Sequence, residues 1–217
     1  MALFRPWPDS PAGRIEYCLL VLIRVSLLVA AVWAAVIGKP GTVGMSLLSL
    51  GLTFLPRLVE HRYKIQLPIE FHLVIVLFIY ASIFLGSANG AYATFGWWDI
   101  VLHIGSGLIL GFLGFMLLYV LHTQKKLEMS YFLIAFFTFC VGMALGAMWE
   151  FYEFGVDQLF GKEMQHGNFD TMTDLLTDAI GSLLIAIGGY YHLRRNSVGL
   201  VSRAINSFMR DNPRLRR

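Results

Sequence analysis

Six apolar segments of about membrane-spanning length punctuate the chain, and they limit its fold more than any other feature. They run over residues 15–37, 44–59, 69–86, 98–121, 130–154 and 172–193. A helix needs about 20 apolar residues to cross the hydrocarbon core. In lipid every backbone N–H and C=O must be paired within the structure, which leaves only helices and closed barrels. None of the six alternates strictly as a barrel strand does. The expected fold is therefore all-α, a polytopic integral membrane helix bundle of about six transmembrane helices forming a single domain over residues 1–217. Six spans use up most of the 217 residues, so any chemistry belongs inside the bundle or in its loops. Composition agrees: 57% of residues are hydrophobic and 14% charged, whereas a water-soluble domain is about a quarter charged.

Two segments need comment. The apolar core of the second, Met45 to Leu55, is short and stops at Pro56, so this segment is expected to be mismatched to the bilayer or partly re-entrant. The first lacks a small-residue cleavage site and is read as a retained helix. Arg24 lies inside it, where a charge either finds a partner or snorkels to the interface. Cys18 and Cys140 both sit in apolar stretches, which argues against a disulfide or a thiolate zinc site.

Basic residues set the orientation. Arg5, Arg14, Arg57, Arg62, Lys64, Lys125, Lys126 and the tail residues Arg194, Arg195, Arg203, Arg210, Arg214, Arg216 and Arg217 fall on one side; Lys39 and Lys162 fall on the other. By the positive-inside rule both termini are cytoplasmic, and residues 194–217 form a basic cytoplasmic tail resting on anionic headgroups. The net charge of +3 thus reports topology and membrane lipids, with no nucleic acid as partner.

The acidic residues are distributed differently. Of 14 Asp and Glu, seven gather at the outer ends of the last three segments: Asp99, Glu150, Glu153, Asp157, Asp170, Asp174 and Asp178. Asp99 and His103 are four apart and share a helical face, with His103 about 6 Å deeper. Glu150 and Glu153 share another face. Asp170, Asp174 and Asp178 form a stripe at four-residue spacing. Taking Arg194 as the inner boundary, Asp178 lies about 24 Å from it within a core of about 30 Å, so it is submerged by about one turn. Asp99 and Asp170 also suit helix-capping positions. Glu150 and Glu153 do not, because carboxylates at a helix C-terminus meet the negative end of the dipole.

Carboxylates gathered in a partly dry site repel unless a cation joins them or some keep their protons. Asp99, His103, Glu150, Glu153, Asp174 and Asp178 are accordingly expected to build a metal or proton site opening to the extracytoplasmic side, and in the metal version to be the ligands of a divalent ion, Mg²⁺, Mn²⁺, Ca²⁺ or Zn²⁺. The glycines Gly107, Gly111, Gly114, Gly142, Gly146 and Gly181 permit the close helix contact such a cluster requires. Trp97, Trp98, Trp149, Tyr92, Tyr152 and Phe151 read as an aromatic belt at the same level, and residues 157–169 as a loop able to lie over the site as a lid.

The ordered set Trp98-Asp99-x-x-x-His103, Gly146-Ala147-Met148-Trp149-Glu150-x-x-Glu153 and Asp170-Thr171-x-x-Asp174-x-x-x-Asp178-x-x-Gly181 resembles the YjdF-like family of bacterial inner-membrane proteins, largely of unknown function. The Asp-x-x-x-His element is also similar to the start of VanZ-like membrane proteins. The first resemblance implies a multi-pass protein of the bacterial inner membrane and supplies no substrate. Three functions fit the residues. One is a metal-dependent intramembrane hydrolase or transferase acting on a lipid or lipid-linked substrate, with His103 or Glu153 as general base. The second is a cation or proton transporter or channel using the same site. The third is a non-catalytic scaffold. Almost nothing ionisable lies from Gly105 to Val120 or from Phe132 to Gly146, which weighs against a path through the membrane.

Overall fold

Helices account for every regular element among the described residues of the computed structural model, which are Trp7, 11–195 and 199–216. Arg5 and Arg217, counted above among the cytoplasmic charges, lie outside the described residues, as do 196–198 of the tail. Six stretches are long and apolar enough to cross a membrane: Gly13–Val36, Pro40–Tyr63, Ile69–Ala88, Trp98–Thr123, Tyr131–Phe160 and Asn168–Arg195. Contacts divide the chain into two compact units, one ending at Trp98 and the other beginning at Asp99.

In the first unit α1 (Pro11–Val36) packs against α2 (Pro40–Leu52) and α4 (Ile69–Ile79). Its core joins Leu20, Ile23 and Leu27 of α1 to Val76 of α4 and to Phe84. The second span, expected over 44–59, extends at both ends. Residues Pro40–Tyr63 make one 24-residue span, broken between α2 and α3 (Leu55–Tyr63). Pro56 lies in the first turn of α3, where its missing N–H would have had no helical acceptor anyway. Arg24 repairs the break: its Nη2 donates to the Thr53 carbonyl at 2.9 Å and its Nε to Thr53 Oγ1 at 3.1 Å. The guanidinium also lies 4.3 Å over the Phe54 ring. Of the two expectations for this half-buried charge, the partner is the one realised. At the end of α3, buried Glu60 accepts from Arg57 at 2.9 Å and from the Leu67 N–H at 2.7 Å, and lies 3.2 Å from His72 Nε2. The third span passes from α4 into a π-helical stretch, Tyr80–Ala88, whose Ala81 carbonyl accepts from Trp98 Nε1 at 3.3 Å.

The second unit contains α6 (Trp98–Thr123) from Asp99 onward, α7 (Tyr131–Phe160) and α8 (Asn168–Arg195); the short α5 (Ala91–Thr94) lies in the first. Ser130 caps α7, accepting from the Leu133 N–H at 3.3 Å. α7 runs past residue 154, where its apolar span was expected to end. It stops at Gly161, whose φ of 60° is open to glycine without strain. α8 likewise starts at Asn168 rather than at 172. The three helices meet at glycines. A Cβ on Gly107 or Gly181 would strike the backbone of Asp178 or Ile104 respectively, and one on Gly142 the Ser182 hydroxyl. Ser182 Oγ itself donates to the Gly107 carbonyl at 3.3 Å. Beneath that level Phe115, Ile134 and Ile185 fill the interior.

The basic tail is folded. α9 (Leu200–Asp211) packs on α8, with Val201 against Gly188. It buries Ile205, Phe208 and Met209 while Arg203 and Arg210 stay exposed. A strip of apolar residues at i, i+3 and i+4 is what a helix lying on a neighbour requires.

Candidate metal centre

α6 and α8 supply the centre of the site. Four-residue spacing puts Asp99 one turn outward from His103 on α6, and Asp174 one turn outward from Asp178 on α8. The contact of Gly107 with the Asp178 backbone holds the two helices in register. His103, Asp174 and Asp178 are buried and the Asp99 side chain is about one-third exposed. His103 Nε2 lies 3.6 Å from Asp99 Oδ1 and 3.8 Å from Asp174 Oδ1, and its Nδ1 lies 3.2 Å from Asp178 Oδ2. One ligand atom each from Asp99, His103 and Asp174 falls within 4.8 Å of the other two. That span is close to the diameter of a single coordination sphere, about 4 to 5 Å for bonds of about 2.0 to 2.6 Å.

α7 closes a second side. Gly146 abuts the Asp178 carboxylate, which places Glu150, one turn outward, at the level of Asp174. Glu150 is 3% exposed. Its Oε2 accepts from Gln165 Nε2 at 3.3 Å, whereas its Oε1 is buried without a hydrogen-bond partner among the described residues. Glu153 is half-buried and accepts from Trp149 Nε1 at 2.9 Å. Asp170 accepts from the His166 N–H at 3.1 Å, so it serves the start of α8 much as a capping-box acid does. Among the described residues no Lys or Arg forms an ion pair with Asp99, Glu150, Glu153, Asp174 or Asp178.

The loop after α7 is tied in place. Both oxygens of Asp157 accept backbone N–H groups, Met164 at 2.7 Å and Gln165 at 2.9 Å. Gln165 Nε2 in turn reaches the Glu150 carbonyl at 3.3 Å and Thr171 Oγ1 at 3.1 Å. Of the aromatic residues expected at this level, Trp149, Phe151 and Tyr152 belong to α7 and are exposed, with Trp149 and Tyr152 rings 5.2 Å apart. Tyr92, Trp97 and Trp98 belong to the first unit, where Tyr92 packs on Gly86 and the two indoles lie 5.5 Å apart.

Two participants were missed in the sequence. Ser106, which hydrogen-bonds Asp178 Oδ1, follows His103 by three and so shares its face, a signal that was available. Gln165 sits in a loop, where no periodicity marks it.

Residues 19–195 match a family described as predicted membrane protein (DUF2238). The chain belongs to that family. Every residue of the DUF2238 chain named above for this centre falls within the matched region, and α9 falls after it. No curated protein and no solved structure matches the chain.

Proposed function

We propose that this chain is a divalent-metal protein of the bacterial inner membrane with both termini cytoplasmic, and that its metal serves hydrolytic or transfer chemistry on a lipid or lipid-linked substrate. The observation that carries the reading is the convergence of ligand atoms from Asp99, His103 and Asp174 within 4.8 Å. Two carboxylates and an imidazole are a donor set suited to Mn²⁺ or Zn²⁺, with Mg²⁺ and Ca²⁺ also accommodated by the oxygens. The partnerless buried oxygen of Glu150 supports it, since such an atom costs free energy unless something meets it.

With three protein ligands a metal keeps open positions, the pattern of catalytic rather than structural sites. Bound there, it would polarise an acyl or phosphoryl oxygen and lower the pKa of a bound water. His103 has Nδ1 against Asp178 and Nε2 turned toward Asp99 and Asp174, which fits a ligand better than a general base. Glu153, half-buried and held by Trp149, is the better candidate to accept a proton. The glycine contacts beneath the site leave no room for a methyl group between α6, α7 and α8, which favours a one-sided site over a passage for cations or protons. The excess of Lys and Arg on the side of both termini supports the orientation, and the ordered acidic motifs support equating this family with the YjdF-like one.

The test is metal content. Full-length protein in detergent, dialysed against each candidate ion, is expected to hold one equivalent, and Asp174→Asn none. Chelation is expected to lower the unfolding midpoint, since ligand at about 100 Kd adds about 2.7 kcal/mol. Wild-type protein that takes up no ion at saturating concentration would overturn the reading.

A further inference from the structure

We infer that Asp178 and Ser106 are positioning residues that hold His103 with Nε2 turned toward the metal, and that Asp178 is not itself a ligand. The inference rests on the metal reading above and replaces the sequence expectation that all six residues bind the ion directly.

Four observations combine. First, Asp178 Oδ2 lies 3.2 Å from His103 Nδ1. An ionised carboxylate only accepts, so Nδ1 carries a proton toward Asp178 and Nε2 is the nitrogen left for a cation to take. Second, the other oxygen, Oδ1, is taken by the Ser106 hydroxyl. That hydroxyl also lies 2.7 Å from the His103 carbonyl, but it has one proton, and the charged carboxylate is the stronger acceptor. Third, Asp178 is 1% exposed and hemmed in, its carboxylate by Gly146 and its backbone by Gly107. Its carboxylate is not among the ligand atoms that converge within 4.8 Å, which come from Asp99, His103 and Asp174. Fourth, Nε2 faces Asp99 and Asp174 at 3.6 and 3.8 Å, too long for hydrogen bonds to either. A histidine that gives one N–H to a buried carboxylate and offers the other nitrogen to a cation is the usual outer-shell arrangement of metal sites.

The experiment uses full-length protein in detergent with Zn²⁺ as the probe, reading affinity by equilibrium dialysis and the imidazole by ¹⁵N-histidine NMR. Wild type is expected to show His103 as the Nδ1–H tautomer with Zn²⁺ on Nε2. Asp178→Asn is expected to keep one equivalent of Zn²⁺ at an affinity about 10- to 100-fold lower and to lose the single tautomer. Asp174→Asn is expected to lose saturable binding. Ser106→Ala, a smaller change that does not depend on Asp178→Asn folding well, is expected to weaken binding while Zn²⁺ stays on Nε2. Zn²⁺ on Nδ1, or loss of all binding in Asp178→Asn with Asp174→Asn still binding, would overturn the inference and leave the metal reading intact. A wild type that binds no Zn²⁺ would overturn both.

Discussion

The carboxylate of Asp178 occupies the space that a methyl group on Gly146 would need. α7 therefore comes as close to α8 at this level as a backbone can, and the innermost acid of the site is held by the absence of a side chain opposite it.

Gly146→Ala is expected to destabilise the protein by about 1–3 kcal/mol, the usual cost of forcing a methylene into a packed interior. Gly155→Ala, on the same helix, meets nothing within 4 Å and is expected to be neutral or to stabilise by up to about 1 kcal/mol through helix propensity. Thermal unfolding of the two variants in detergent separates them. Equal midpoints would mean that the contact with Asp178 is not tight.

Asp157 orders the loop from one side by accepting two backbone N–H groups. Asp157→Ala is expected to speed amide exchange at Met164 and Gln165 by about 10-fold or more, because hydrogen bonds to a charged group are worth about 1.5–3 kcal/mol. Trypsin is expected to cut faster after Lys162. Unchanged exchange at both amides would show that Gln165 alone suffices to hold the loop.

Arg24 links α1 to the break in the second span through two donors and an aromatic face. Arg24→Met is expected to lower stability by about 1–3 kcal/mol by leaving the Thr53 carbonyl without its charged donor. Arg24→Lys is expected to recover only part, since an ammonium cannot reproduce the planar fork. Unfolding midpoints of the three proteins decide it, and a methionine variant as stable as wild type would point to a snorkelled arginine instead.

The spans were legible because lipid permits so few structures: an apolar run of sufficient length has little alternative to a helix. Their ends were less so. Pro56 marks the end of an apolar run, but hydropathy does not say that it opens a new helix. α9 has its apolar strip in Val201, Ile205, Phe208 and Met209, but the arginines between them give the segment the composition of a plain basic tail. At the site, four-residue spacing was enough to put Asp99 with His103 and Asp174 with Asp178. Which of these acids faces Nε2 and which faces Nδ1 depends on how far α8 slides along α6, and that is set by glycine contacts between residues more than 70 positions apart, beyond any local pattern.

Among the described residues the same buried chemical pair occurs twice. His72 lies against Glu60, and His103 lies against Asp178, each an imidazole and a carboxylate buried in a helical unit. Arg57 reaches the first pair, also through Glu60; among the described residues no arginine or lysine reaches the second. The first pair thus serves as an internal control for the second. It shows what this protein does with a buried acid when the neutralising cation is built into its own sequence, and under the metal proposal the Asp99–His103–Asp174 cluster is where that cation would come from solution.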